Sequence, residues 1–102
     1  MTKVEFFAEP IGFCMTGHSS KNGDDEQGRI VCAAVSSAAY MAANTITEII
    51  GDNADIEVDD ARMHLTVAAP SDETIAVLAG LELHLTELSD QYPKNIKVIS
   101  EV

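Results

Sequence analysis

Apolar and polar side chains alternate from Lys3 to Ala8, with Val4 and Phe6 set against Lys3, Glu5 and Phe7. Alternation of this kind marks a strand, and Glu9-Pro10 breaks it. A second apolar stretch, Ile11 to Thr16, turns Phe13 and Met15 one way, and the short gap predicts a hairpin. The period then lengthens. From Ile30, the residues Val31, Val35, Ala38, Met41, Ala42, Thr45 and Ile49 recur at spacings of three and four, which predicts a helix ending at Gly51 as its C′ residue. Ala54 to Val58 predicts a short strand with Ile56 and Val58 on one face. Asp59-Asp60 suits a turn, and Arg62 to Ala68 alternates again up to Pro70. Ser71 is a good N-cap, with Asp72 and Glu73 placed to favour the helix dipole. Ile75, Leu78, Leu81, Leu85 and Leu88 form the stripe of that second helix, which Tyr92-Pro93 closes. Ile96, Val98 and Val102 make a last strand.

The resulting order is β-β-α-β-β-α-β. It predicts an α+β fold, one mostly antiparallel sheet with two helices packed on it, in a single domain over residues 1–102. One segment stands apart. His18 to Gly28 reads HSSKNGDDEQG and offers no large apolar side chain after the histidine. With nothing to bury against its ordering entropy, Ser19 to Gly28 reads as a surface loop of the kind that carries function.

Charge narrows the partners. Seventeen acidic residues face six basic ones, for a net charge of −11 over 102 residues. Such a surface repels phosphate backbones and anionic membranes, so neither direct nucleic-acid binding nor membrane association is expected. It attracts basic proteins, or serves solubility alone. The uncharged run Ile30 to Thr47 approaches membrane-spanning length but is rich in Ala and holds Ser36, Ser37, Asn44, Thr45 and Thr47. It therefore reads as a helix inside a soluble domain. No secretory leader opens the chain, and Cys14 and Cys32 are its two cysteines, so a reducing cytoplasm with free thiols is expected.

Cys32 is placed two or three residues inside the first helix, where free N–H groups and the dipole lower a thiol pKa. His18 precedes it across the loop. The two make a nucleophile and its general base if the loop folds back; otherwise they are a small buried cysteine and an exposed histidine. Gly17 permits a sharp turn before His18. Ser36 follows Cys32 by one helical turn, as a hydrogen-bond donor near the nucleophile or as a small packing residue. Cys14 and His18 share a strand face but lie about 13 Å apart, too far for one metal ion. His64 reads as a sheet-face histidine and His84 as a helix-surface one. No metal or cofactor is expected.

The segment Gly17 to Ser36, GHSSKNGDDEQGRIVCAAVS, resembles the signature of the ribosomal-processing cysteine protease Prp family: a Gly-His, a Gly-bearing loop, then Ile30-Val31-Cys32-Ala33-Ala34-Val35-Ser36 opening a helix. The likeness continues through the acidic strand Glu57 to Asp60 and the Gln91-Tyr92-Pro93 close. It implies a bacterial endopeptidase, a thiol-dependent hydrolase acting in ribosome biogenesis. The family removes the N-terminal extension of a large-subunit ribosomal protein and acts as a homodimer. By position, Cys32 matches the nucleophile and His18 the base, while Gly17 and Ser36 match supporting positions. The chain departs from the family at Arg29, where an Asp is usual. Asp24, Asp25 or Glu26 are the candidates to take over that task, and Arg29 itself is a cation that would favour a thiolate.

The resemblance also implies an apolar substrate segment ending in two phenylalanines, with a small residue after the cut. Phe6-Phe7-Ala8 of this chain has that form, but its alternation already explains it as a strand. Two other readings stand beside the endopeptidase. One is a non-catalytic, ribosome-associated assembly factor that binds a basic protein through its acidic face. The other is a thiol-based metal or redox module.

Overall fold

The computed structural model describes residues 1–17 and 26–100. In chain order these form β1 (Thr2–Ala8), β2 (Ile11–Thr16), α1 (Glu26–Asn44), a π-helical continuation over Thr45–Ile50, β3 (Asp55–Asp59), β4 (Arg62–Val67), α2 (Asp72–Gln91) and β5 (Ile96–Ile99). This is the expected β-β-α-β-β-α-β order. The five strands make one sheet in the order β3-β4-β2-β1-β5, antiparallel throughout except where β5 runs parallel to β1.

Register explains which sheet face is buried. Val4 pairs with Met15, Phe6 with Phe13 and Ala8 with Ile11 across β1 and β2. Met15, Phe13 and Ile11 then pair with Met63, Leu65 and Val67 of β4. The period of two puts all of these on one face. Against it lie Val31, Val35, Ala39, Ala42, Ala43 and Ile46 from the first helix and Leu78, Leu81 and Leu85 from the second, all in one core cluster. The opposite face carries Lys3, Glu5, Cys14, Arg62, His64 and Glu57, and His64 packs on Phe7 with ring centroids 5.5 Å apart.

Several element details differ from the sequence reading. The first helix starts at Glu26, four residues before the expected Ile30, so Glu26, Gln27 and Gly28 belong to helix rather than loop. The remaining loop residues, together with His18 and Val102, lie outside the described residues. Its buried stripe turns away from Met41 and Ile49, which are 62% and 79% exposed, and through Ala39, Ala43 and Ile46 instead. Alanines gave a weak signal there, and the larger Met41 and Ile49 drew the stripe to the wrong side. The helix from Glu26 to Ile50 is long and apolar enough to cross a membrane by length and composition. Its stripe nevertheless packs into the core. In α2, Ile75 is exposed, while Leu78, Leu81 and Leu85 are buried as expected. Ile56 and Val58 share one face of β3 but stay exposed, because β3 is an edge strand that the helices do not cover.

The helix ends follow their caps. Gly51 takes φ +88° and its N–H bonds Ile46 O at 2.9 Å, a π-type closure. Ser71 caps α2 through Oγ, which accepts from Thr74 N at 3.3 Å. Asp52 braces that cap: its Oδ2 accepts from Ser71 N (2.9 Å), Ser71 Oγ (2.8 Å) and Thr74 Oγ1 (2.6 Å). The backbone bond from Ser71, then the Thr74 and Ser71 hydroxyls, hold the Asp52 carboxyl below its usual range.

Candidate active site

Cys32, Ser36 and Tyr40 stand at intervals of four along α1, so they line one face of the helix. That face meets the ends of four strands. Thr2 opens β1, Met15 and Gly17 close β2, and the hairpin from Val58 to Met63 joins β3 to β4. Together they enclose a cleft of about 140 Å³. Cys32 is half-buried at its side, and Ser36 is half-buried one turn further on.

Gly17 has a geometric reason to be glycine. Its φ is +111°, a conformation L side chains avoid, and a Cβ there would stand 2.4 Å from Met1 O. Its N–H donates to Ala61 O at 3.0 Å. The end of β2 is thereby tied to the β3–β4 turn beside Cys32, and the next residue in the chain is His18. His18 itself lies outside the described residues.

Cys32 does not lie at a helix start. With α1 beginning at Glu26, Cys32 lies about 9 Å along the axis from the first residue, beyond the first turn where free N–H groups and the dipole act. Arg29 is exposed on α1 and does not line the cleft. Among the described residues, the salt bridge found joins Arg62 to Glu57 at 3.3 Å, and Arg29 has none. Of the acids considered as stand-ins for the family's Asp, Glu26 is the first residue of α1, and Asp24 and Asp25 lie outside the described residues.

The cleft also contains residues that the sequence reading did not assign to it. Tyr40 continues the spacing of Cys32 and Ser36, and that period was the signal available for it. Asp59, Asp60 and Arg62 come from the hairpin, whose two turn residues are Asp60 and Ala61. Arg62 is held above the ordinary guanidinium value first by its hydrogen bond to Glu57 and then by Cys14. Thr2 gave no sequence signal at all.

The other candidates fall elsewhere. Cys14 is buried on the far side of β2, paired in register with His64, which in turn pairs with Glu57. Among the described residues, no three His, Cys, Asp or Glu side chains gather closely enough to hold a metal ion. His84 is exposed and lies along a groove of about 740 Å³ between α1 and α2, lined by Ala38, Met41, Val77 and Leu81. Phe6-Phe7-Ala8 is strand β1, with Phe6 in the core and Phe7 on the opposite face.

Comparison with known proteins places this geometry. The family model for cysteine protease Prp matches residues 1–97. The fold is that of the S. aureus ribosomal processing protease Prp in complex with a substrate peptide: TM-score 0.82, 21% identity, 98% of this chain and 97% of that chain covered. The same S. aureus protease with a covalently linked product peptide gives a TM-score of 0.76 at 22% identity, with the same coverage. SMU.848 from Streptococcus mutans gives 0.83 at 17% identity, covering 99% of this chain and 94% of that chain. No protein of curated function matches the chain. A match over residues 1–97, on a chain whose sheet, helices and cysteine-bearing cleft are those just described, shows that this protein belongs to the cysteine protease Prp family.

Proposed function

We propose that this chain is a cysteine endopeptidase in which Cys32 is the nucleophile and His18 its general base, and that it removes the N-terminal extension of a large-subunit ribosomal protein. The observation that carries the reading is the cleft itself: Cys32 and Ser36 of α1 line it together with Gly17, the residue that leads into His18. His18 takes the thiol proton and the sulfur attacks the scissile carbonyl carbon. The tetrahedral intermediate collapses as His18 returns the proton to the leaving amine. Water, deprotonated by the same histidine, then hydrolyses the thioester and frees the enzyme. Ser36 supports the nucleophile from one turn away. Arg29 lies outside the cleft lining.

The net charge of −11 favours a basic ribosomal protein as substrate, because it draws such a partner from a distance. The reading places the enzyme in the bacterial cytoplasm, where ribosomes are built, and as a homodimer. Sedimentation tests this part: a single species at monomer mass at micromolar concentration contradicts it.

The activity is tested with a peptide carrying two phenylalanines before a small residue. Wild type is expected to cleave it after the second phenylalanine. Cys32→Ala and His18→Ala are expected to fold and not to cleave. A wild-type protein that binds the basic ribosomal protein but leaves the peptide whole would favour the assembly-factor reading instead.

A further inference from the structure

The cavity of about 740 Å³ between α1 and α2 does not end at the helix midpoints. A second cavity of about 470 Å³ continues it, and Ala34 lines both, so the two form one trough. The trough runs from Thr45 and Val77 to Glu26 and Tyr92. At the rise of an α-helix its length is about 28 Å. The core does not use up the apolar surface here. An apolar 18-residue stretch within Glu26–Ile50 is only 33% buried. Ile30 and Met41, which both line the trough, are exposed.

Gly80 is an independent sign. It stands in the middle of α2, where glycine lowers helix stability relative to alanine, and it lines the trough. Packing within the chain does not account for it: among the described residues, a Cβ at this position would meet nothing within 4 Å. A helical glycine that faces open space admits close approach of another backbone. Charge then narrows the occupant. Glu73 and Glu87 extend the stripe of Val77, Gly80 and His84 at spacings of four and three, and Glu26 lines the far end of the trough. Among the described residues, the salt bridge found joins Arg62 to Glu57, so these three carboxylates have no ion pair. The one basic residue of the two helices is Arg29, and it does not line the trough.

We infer that the trough is a docking site for a basic amphipathic helix of a partner protein. Its apolar side chains lie over Gly80 and Ala34, and its lysines or arginines meet Glu26, Glu73 and Glu87. A helix of about 18 residues matches the length. A second copy of this chain brings the same acids on its own helices, and an anionic bilayer is repelled by them, so neither complements the trough. The inference goes beyond the protease reading and does not rest on it. On α1, Cys32, Ser36 and Tyr40 line the cleft, whereas Ala34, Ala38 and Met41 line the trough.

The experiment uses the full chain with Cys32→Ala, so that no probe is cleaved, and reads fluorescence anisotropy of labelled amphipathic peptides of about 18 residues. One is built from leucine and lysine, one from leucine and glutamate, and one from alanine and lysine. The leucine-lysine peptide is expected to bind, and each of the others about tenfold more weakly or less. Gly80→Leu fills the trough and replaces glycine with a better helix former. It should melt no lower than the parent and bind the leucine-lysine peptide about tenfold more weakly. Met41→Ser, at an exposed position, should weaken binding as well. Glu73→Gln with Glu87→Gln should weaken it about fivefold. Glu5→Gln with Glu9→Gln makes the same charge change away from the helices and should leave binding unchanged. Parent-like binding by Gly80→Leu or by Met41→Ser overturns the inference. Equal losses in the two glutamine pairs overturn it too, because net charge alone would then be acting. So does a Gly80→Leu protein that sediments as a smaller species than the parent, since the occupant would then be a second copy. A wild-type chain that cleaves nothing counts against the protease reading alone, because binding is read without cleavage.

Discussion

Gly17 N donates to Ala61 O at 3.0 Å, and the two bonded residues both line the cleft that also holds Cys32. This bond pins the end of β2 to the β3–β4 turn at the point where the chain runs on into His18. It depends on a backbone that only glycine adopts without strain, at φ +111°, with Met1 O occupying the place of a side chain.

Gly17→Ala should therefore damage both stability and activity. Forcing an L residue into this conformation costs about 1–3 kcal/mol, and the clash with main-chain Met1 adds to it. Chemical denaturation should show a lower midpoint, and the surviving folded fraction should have a reduced kcat/KM. A variant with both quantities unchanged would mean that the turn relaxes freely and does not position the histidine.

The two cysteines should behave differently. Cys14 is buried on the opposite face of the sheet, beside Arg62 and His64, whereas Cys32 lines the cleft. Removing either thiol should cost about 1–2 kcal/mol of stability. Cys14→Ala should keep its peptidase activity, and Cys32→Ala should lose it.

Asp52 should matter for stability in a pH-dependent way. Its carboxylate accepts three hydrogen bonds from Ser71 and Thr74, and these hold its pKa below the ordinary range. A group whose folded pKa is lowered stabilises the fold above its unfolded pKa of about 3.9 and loses that contribution as pH falls through the folded value. Asp52→Ala should thus melt below wild type at neutral pH. The gap should close in acid below pH ~4. A gap that is constant from neutral to strongly acid pH would show that the ionised form has no special role.

Salt should separate steering from solubility. The Debye length falls from about 10 Å at 0.1 M to about 3 Å at 1 M ionic strength. For a basic substrate, kcat/KM should fall over this range, and for a neutral peptide with the same Phe-Phe core it should hardly move. Equal responses would reduce the −11 charge to a solubility device.

Much of this architecture is legible in the sequence because the strands alternate cleanly. Val4, Phe6, Phe13, Met63, Leu65 and Val67 are all buried as their spacing requires. The stripe of α1 is less legible, since Ala39, Ala42 and Ala43 bury little area each and carry a weak periodic signal against the larger Met41. The start of α1 is hidden for a related reason: Glu26 to Gly28 are polar or glycine and read as loop, yet the segment is helical. At the cleft, the spacing of Cys32 and Ser36 is local and can be read from the chain. Thr2, Asp59, Asp60 and Arg62 reach it through strand pairing, between residues more than twenty positions away from Cys32, and no local pattern reports that.

The central claim is that Cys32 carries the acyl group, and the most direct measurement is the intact mass of the protein quenched in acid during turnover of the Phe-Phe-small peptide. The account predicts a species heavier than the enzyme by the N-terminal product less one water, with the added mass mapped to Cys32. It also predicts neither adduct nor cleavage with Cys32→Ala. Cleavage that continues undiminished in Cys32→Ala would contradict it.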